Sequence, residues 1–486
     1  MTGGARLAAL AIALGACGDD ATSAPDTTTT SDDTDATIGE DADAAVGDVT
    51  TGDITTDASS APDATTSDDA SDATSADADV VPSTERIPDD VLPCDEPRYW
   101  PYALRSSERP LTVHYRTPAE RNTAESVVGY LERSWLVEVD QLGFRAPLPD
   151  DGRCGDDADL DVFLWRNAPE VFTDVLGSNP ATSWDDAPVF IVLDPAGEVG
   201  GQYLDSTASH EFNHACQAAY DWSEVTLAYE MTSTFIEDQV FDEDDNYQTI
   251  LFDFQGNPDW SIDRDDGYET WYMYGAAMYL GYLRDRFYRG DPSFAAVMWE
   301  GSKSSAAENE PDYQDALDTM LGEFGKSFLD SVVEFQRWRW YVNERDDARH
   351  LEEAGAFPAD ALPAVAAHVD GDATTTTPLD PMMLGTSFVD VTSTRADLVV
   401  EVALDRSAGA SEADVQWVVQ ALPGRTAGSD GELVDLSRGA GLVTLVDGRR
   451  TLVVTALPGS DASSDPDDRS DDRYKVKLRV KPSLAR

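Results

Sequence analysis

Residues 205–222 read DSTASHEFNHACQAAYDW. Within them His210 and His214 stand four apart, with Glu211 directly after the first histidine. An α-helix turns once per 3.6 residues, so positions four apart share a face. Two neutral imidazoles on one face can each give a nitrogen to the same Zn2+. Glu211 leans to the side of the open coordination position. There it can take a proton from a water polarised by the ion and pass it to a leaving amine. The chain holds only five histidines, so a chance H-E-x-x-H is expected at the order of a few per thousand. The rival reading is a surface helix with two solvated histidines. Thr207 and Ser209 as candidate N-caps, and ACQAAY running on without Gly or Pro, favour a continuous helix carrying a site.

Zinc needs a third protein ligand. The next helical run, LAYEMTSTFIED, offers Glu230 and Glu237, seven apart and so two turns along one side. HEFNHACQ followed by LAYEMTSTFIED resembles the gluzincin pattern, in which H-E-x-x-H precedes a second helix of the type W-L-x-E-G-x-A-x-[YF]-x-E. The resemblance implies Glu230 as the third ligand, Phe235 at the aromatic position and Glu237 at the later acid. Glu237 is then the alternative ligand, or a partner that orients a histidine. The match departs from the pattern at Met231 and Ser233, and the spacing from His214 to Glu230 is shorter than in the aminopeptidase branch. The metzincin continuation is excluded, because Gln217 and Tyr220 stand where it has Gly and His.

Further on, ETWYMYGAAMYLGYL resembles the Y-x-x-G-A segment of aminopeptidase-like gluzincins. This implies that Tyr272, or Tyr274 beside it, stabilises the oxyanion of peptide hydrolysis. No G-x-M-E-N exopeptidase signature precedes the motif, which points to an endopeptidase, or an uncharted specificity, acting on protein or peptide rather than an N-terminal trimming enzyme. QLGFRAPLPDDG, DLDVFLW, HEFNHACQ and YGAAMYLGYL together are similar to poorly characterised secreted metalloproteases of myxobacterial type. That resemblance covers roughly residues 99–482 and implies a zincin-like domain followed by a β-sandwich. The alternative is a surface binding protein that keeps the zincin fold without catalysis. Glu211 discriminates, since a pure binding module has no need of it.

The net charge of −60 argues against nucleic acid as a partner, because phosphates would be repelled. Residues 19–82 are almost wholly Asp, Thr, Ser, Ala and Gly, with no aromatic residue. Such a segment buries too little apolar surface to offset its ordering entropy and reads as a disordered linker. The remainder is still acidic, by roughly forty charges. Acid clusters such as FDEDDNY and DRDDGYE lack the EF-hand spacing but leave room for a structural Ca2+.

The first sixteen residues carry Arg6 and the apolar run LAALAIALGA, too short to span a bilayer and suited to a signal peptide. LGAC, ending at Cys17, resembles the lipobox of bacterial lipoproteins. That implies lipidation of Cys17 and anchoring to the cell envelope, at the outer membrane or cell surface. Export to an oxidising compartment favours a disulfide between Cys94 and Cys154, both in polar, turn-rich contexts, with Cys216 free and buried.

These residues need a scaffold. PLTVHYRT, DLDVFLW and PVFIVLDP read as strands. Residues 117–144 begin with Thr117 as N-cap and Pro118, and Val127, Val128, Leu131, Trp135, Val139 and Leu142 trace a helical stripe. Residues 312–342 read as two helices broken at Gly325. After residue 371 come short alternating runs, TSFVDV, DLVVEVAL, VQWVVQAL, GLVTLV, TLVVTAL and YKVKLRV, the pattern of a sandwich. The expected organisation is a signal peptide at 1–16, an anchor cysteine and disordered linker at 17–86, an α+β zincin-like domain at 87–370 and an all-β sandwich at 371–486.

Overall fold

The computed structural model describes residues 7–9 and 85–483, apart from 156, 170, 197–202, 244–245, 306–309, 359–361, 408–413, 424–430, 461, 464 and 467–470. Most of the expected signal peptide, Cys17 and the linker up to residue 84 lie outside the described residues.

The chain folds as an α+β domain followed by a β-sandwich. The strands of the first domain are β1 (Leu7–Ala9), β2 (Tyr102–Arg105), β3 (Leu111–Tyr115), β4 (Leu160–Leu164), β5 (Val171–Val175) and β6 (Val189–Leu193). They form one sheet in the order β1-β5-β6-β4-β3-β2. β3, β4 and β6 run parallel, while β2 and β5 are antiparallel to their neighbours. β4 and β6 are buried along their whole length, which is why LDVFL and VFIVL read as near-continuous apolar runs. β1 pairs antiparallel with the outer edge of β5, Leu7 opposite Thr173. β2 and β5 carry no clear alternation and are not evident in the sequence.

Nine α-helices follow in chain order: α1 (Arg121–Ser134), α2 (Leu204–Gln217), α3 (Thr226–Val240), α4 (Leu251–Gly256), α5 (Tyr272–Gly275), α6 (Ala277–Phe287), α7 (Phe294–Gly301), α8 (Tyr313–Gly322) and α9 (Phe328–Trp338), counted among the described residues. The entry to α1 is a capping box: Glu120 accepts from the Thr117 N–H at 2.9 Å. The α8–α9 break falls at Gly325, whose φ of +67° is open to glycine at no steric cost.

One helix departs from its sequence pattern. Trp135–Gln141 is a π-helix, with Leu142 N–H donating to the Val137 carbonyl at 2.8 Å. Widening the turn rotates the stripe. Glu138 is fully buried, whereas Val139 is only half-buried and Leu136 faces solvent. A 3.6-residue reading puts Val139 inward and Glu138 out, and the π segment reverses that.

The sandwich is built of β7 (Ala364–His368), β8 (Thr375–Leu379), β9 (Thr386–Thr392), β10 (Val399–Asp405), β11 (Val415–Ala421), β12 (Glu432–Leu433), β13 (Gly441–Thr444), β14 (Arg449–Pro458) and β15 (Val476–Pro482). Its sheets run β13-β10-β15-β8 and β12-β11-β14-β9-β7. It docks on the helices through backbone as well as side chains. Met382 N–H donates to Asp259 O at 2.8 Å and Thr386 N–H to Pro258 O at 2.7 Å. Gln420 reaches the Val333 carbonyl of α9 at 2.8 Å, and Trp340 stacks on Phe388. Gly385 lies so close that a Cβ there would come within 2.5 Å of Asp259 O. A single apolar core runs from Leu111 to Val480 across both parts.

Cys94 and Cys154 are joined in a disulfide with Cα atoms 4.8 Å apart, and Cys216 is free and buried in α2.

Candidate metal centre

α2 begins at Leu204, three residues earlier than Thr207, after Tyr203 in the left-handed region. Thr207 and Ser209 are therefore interior to the helix, not caps. α2 and α3 pack side by side, so the motif face of one meets the glutamates of the other. His210, Glu211 and His214 bring one ligand-type atom each within 4.8 Å of one another. Among the described residues no other such group forms, in the acid-rich loops or elsewhere.

Both histidines turn Nε2 to the same point. His210 Nε2 is 3.1 Å and His214 Nε2 3.7 Å from Glu230 Oε2. Glu237 stands behind, with Oε2 3.3 Å from His210 Nδ1. The two glutamates of α3 thus divide. Glu230 faces the nitrogens that point inward, and Glu237 faces the nitrogen that points away. Glu230 Oε1 accepts from the Tyr268 hydroxyl at 3.2 Å.

The tautomer of His214 follows from what lies behind it. Gln217 Nε2 donates to Asn213 Oδ1 at 2.7 Å and to the Tyr229 carbonyl at 3.2 Å. Those oxygens only accept, which fixes the amide with Oε1 toward His214 Nδ1, 2.8 Å away. Nδ1 must then carry a hydrogen, so in the neutral ring the lone pair belongs to Nε2. Asn213 passes the chain on, donating to Glu138 Oε2 at 2.9 Å, while Ser209 donates to Glu138 Oε1 at 3.2 Å. Burial pushes the Glu138 carboxyl up to about 8, against the hydrogen bonds from Asn213 and Ser209.

A buried cation fits the front of this arrangement. His214 Nε2 and Glu211 Oε1 are buried polar atoms without a hydrogen-bond partner. Such atoms are costly unless something satisfies them. Ligands about 2.0–2.2 Å from a tetrahedral Zn2+ lie roughly 3.3–3.5 Å apart, close to the spacing from Glu230 to the two imidazoles. Electrostatics agree. Burial lowers the His210 pKa, but Glu230 and Glu237 outweigh it and raise it well above normal. Burial alone would raise Glu230, yet the two histidines bring it down to about 2. The pocket favours positive charge.

The tyrosines part ways. Tyr274 lies over the His210 ring at 5.8 Å, with its hydroxyl interacting with Glu230. Tyr272 points away from the centre, donating to the Ser261 carbonyl at 2.8 Å and packing on Phe254 and Trp260. The structure does not bring Tyr272 to the centre: its hydroxyl hydrogen goes to the Ser261 carbonyl. Two residues apart on a short helix, the two side chains point in different directions.

Thr173, Glu138, Gln217 and Tyr268 complete the surroundings without having been evident in sequence. Ser209, Asn213 and Gln217 recur every four residues on α2 and could have been read as a second polar face. Tyr268 gave no signal beyond its Asp-Asp-Gly turn, where it takes a φ of +63°. That is a strained value for a bulky side chain, of the kind that clusters at functional sites.

No protein-family model matches the chain, and no curated protein matches it. Two solved structures with partial likeness are periplasmic inhibitors of g-type lysozyme, PliG of Aeromonas hydrophila and PliG of Salmonella Typhimurium. The first is 10% identical and covers 25% of this chain and 97% of that one, at a TM-score of 0.17. The second is 10% identical and covers 24% and 98%, at 0.16. Likeness this slight carries nothing about function. What the chain does possess is a buried His-Glu-x-x-His cluster of zincin type, set on α2 and packed against α3.

Proposed function

We propose that the protein is a zinc-dependent endopeptidase of gluzincin type, with His210, His214 and Glu230 as ligands and protein or peptide as substrate. The observation that carries the reading is the meeting of two imidazole Nε2 atoms with one carboxylate oxygen, in a pocket where neighbouring polar atoms lack partners. Bound Zn2+ supplies a Lewis acid that polarises the peptide carbonyl and acidifies an attacking water. Glu211 takes the proton at Oε1 and returns it to the leaving amine. Burial raises its pKa against the pull of both histidines, which suits a group that must accept and then donate. Tyr274 offers its hydroxyl, which lies beside Glu230, to the developing oxyanion. Glu237 holds His210 from behind.

The LGAC stretch supports one extension: the mature chain is exported and held at the cell envelope through lipidated Cys17. Labelling with a fatty acid that Cys17→Ala abolishes tests it.

For the activity, purified full-length protein is assayed for zinc and for casein cleavage. Glu211→Gln is expected to keep its zinc and lose cleavage by about a hundredfold or more. A zinc-loaded wild type that cleaves neither casein nor peptide libraries contradicts the proposal, as does a fully active Glu211→Gln.

A further inference from the structure

On β5 the hydroxyl of Thr173 stands opposite Ile191 of β6. Val171 and Thr173 point to the same side of the strand, while Phe172 points to the other and packs on Phe190. Thr173 is fully buried. Its Oγ1 donates to Glu211 Oε2 at 2.7 Å, and the Glu211 backbone carbonyl is the second acceptor at 3.1 Å. A threonine in a strand can be satisfied by a carbonyl alone. Here the shorter contact goes to the carboxylate. The other oxygen of that carboxylate, Oε1, has no partner.

We infer that Thr173 is the positioning residue for Glu211. Its hydroxyl pins Oε2 and thereby fixes Oε1 as the oxygen that transfers protons. The role rests on the peptidase reading of the site. The argument is geometric. Glu211 sits on a helix and reaches the centre with a flexible side chain, whose terminal torsion is broad. Within the buried pocket the Thr173 hydroxyl is the one hydrogen bond that the carboxylate receives from a side chain, among the described residues. A hydrogen bond to a charged group is the stronger kind and holds direction as well as distance. Because Thr173 belongs to the sheet and Glu211 to α2, the bond ties the proton-transfer group to the strand rather than to its own helix.

Full-length Thr173→Val, Thr173→Ser and Thr173→Ala are compared with wild type by zinc content, casein kinetics and a crystal structure. Val keeps the shape and removes the hydroxyl, Ser keeps the hydroxyl, and Ala leaves space if Val does not fold. Val is expected to retain zinc, to leave KM within about twofold and to lower kcat about ten- to a hundredfold. Its Glu211 carboxylate should leave its present position. Ser should restore most of kcat. A Val variant with wild-type kcat and an unmoved Glu211 overturns the inference, as does a Ser variant no better than Val. If wild-type protein cleaves nothing, the peptidase reading fails, and the position of the Glu211 carboxylate in the Val variant still decides the role of Thr173.

Discussion

A histidine binds a metal through one nitrogen and is aimed by the other. In this protein the aiming is done by buried polar side chains: Glu237 for His210, and Gln217 for His214. Loss of such partners typically costs ten- to a hundredfold in metal affinity. Gln217→Leu is therefore expected to weaken zinc binding by about that factor, measured by competition with a chelator, with the helical signal unchanged. Glu138, at the end of the same chain, gives a test in pH. Its folded pKa of about 8 stands above the unfolded value, so between about pH 4.5 and 8 the folded state holds a proton the unfolded state lacks. Its contribution to stability is thus present at the acid end and is lost as pH rises through 8. Glu138→Gln keeps an acceptor for Asn213 and an amide for Ser209. It should flatten the fall, with a gain on the order of a few kcal/mol above pH 8, read from urea unfolding at pH 5 and pH 9. His210, Glu211 and His214 were legible because their spacing is itself the chemistry. Tyr272 and Tyr274 were not separable, because sequence gives the position of a tyrosine on a helix end but not the partner of its hydroxyl.

At the scale of elements, the centre depends on how α2, α3 and α5 meet. Helical periodicity made α1, α2 and α3 legible, and the Gly325 break between α8 and α9 as well. The π segment after α1 was hidden, because an apolar stripe at 3.6 spacing is compatible with it until Glu138 is seen inside. β5 was hidden too: VFTDV is short, and its chemically important hydroxyl interrupts no pattern. Gly275 in α5 is a packing requirement of its own. A Cβ there would stand 2.6 Å from the Phe254 Cβ. Gly275→Ala should cost about 1–3 kcal/mol through overpacking, seen as a lowered Tm. It should also reduce casein cleavage, because Tyr274 is the adjacent residue.

The molecule as a whole joins its two parts more tightly than the sequence suggests. The change of texture near residue 371 reads as the boundary between a zincin-like domain and a β-sandwich. The structure runs one core through both and hydrogen-bonds the sandwich to residues 258 and 259. That loop leads to Ser261, which receives Tyr272, and on to Tyr268, which touches Glu230. The sandwich is thus a brace behind the loop that borders the centre. Calorimetry should show the two parts unfolding in one transition, and two separated transitions contradict this.

The proposed function requires a zinc ion held by two imidazoles and a carboxylate. X-ray absorption at the zinc edge, on full-length protein purified without added chelator, reads that shell directly. The account predicts one zinc per chain with nitrogen and oxygen neighbours at about 2.0–2.2 Å, two of them imidazoles, and loss of the signal in His214→Ala. A protein that takes up no zinc, or a shell without histidine, contradicts it.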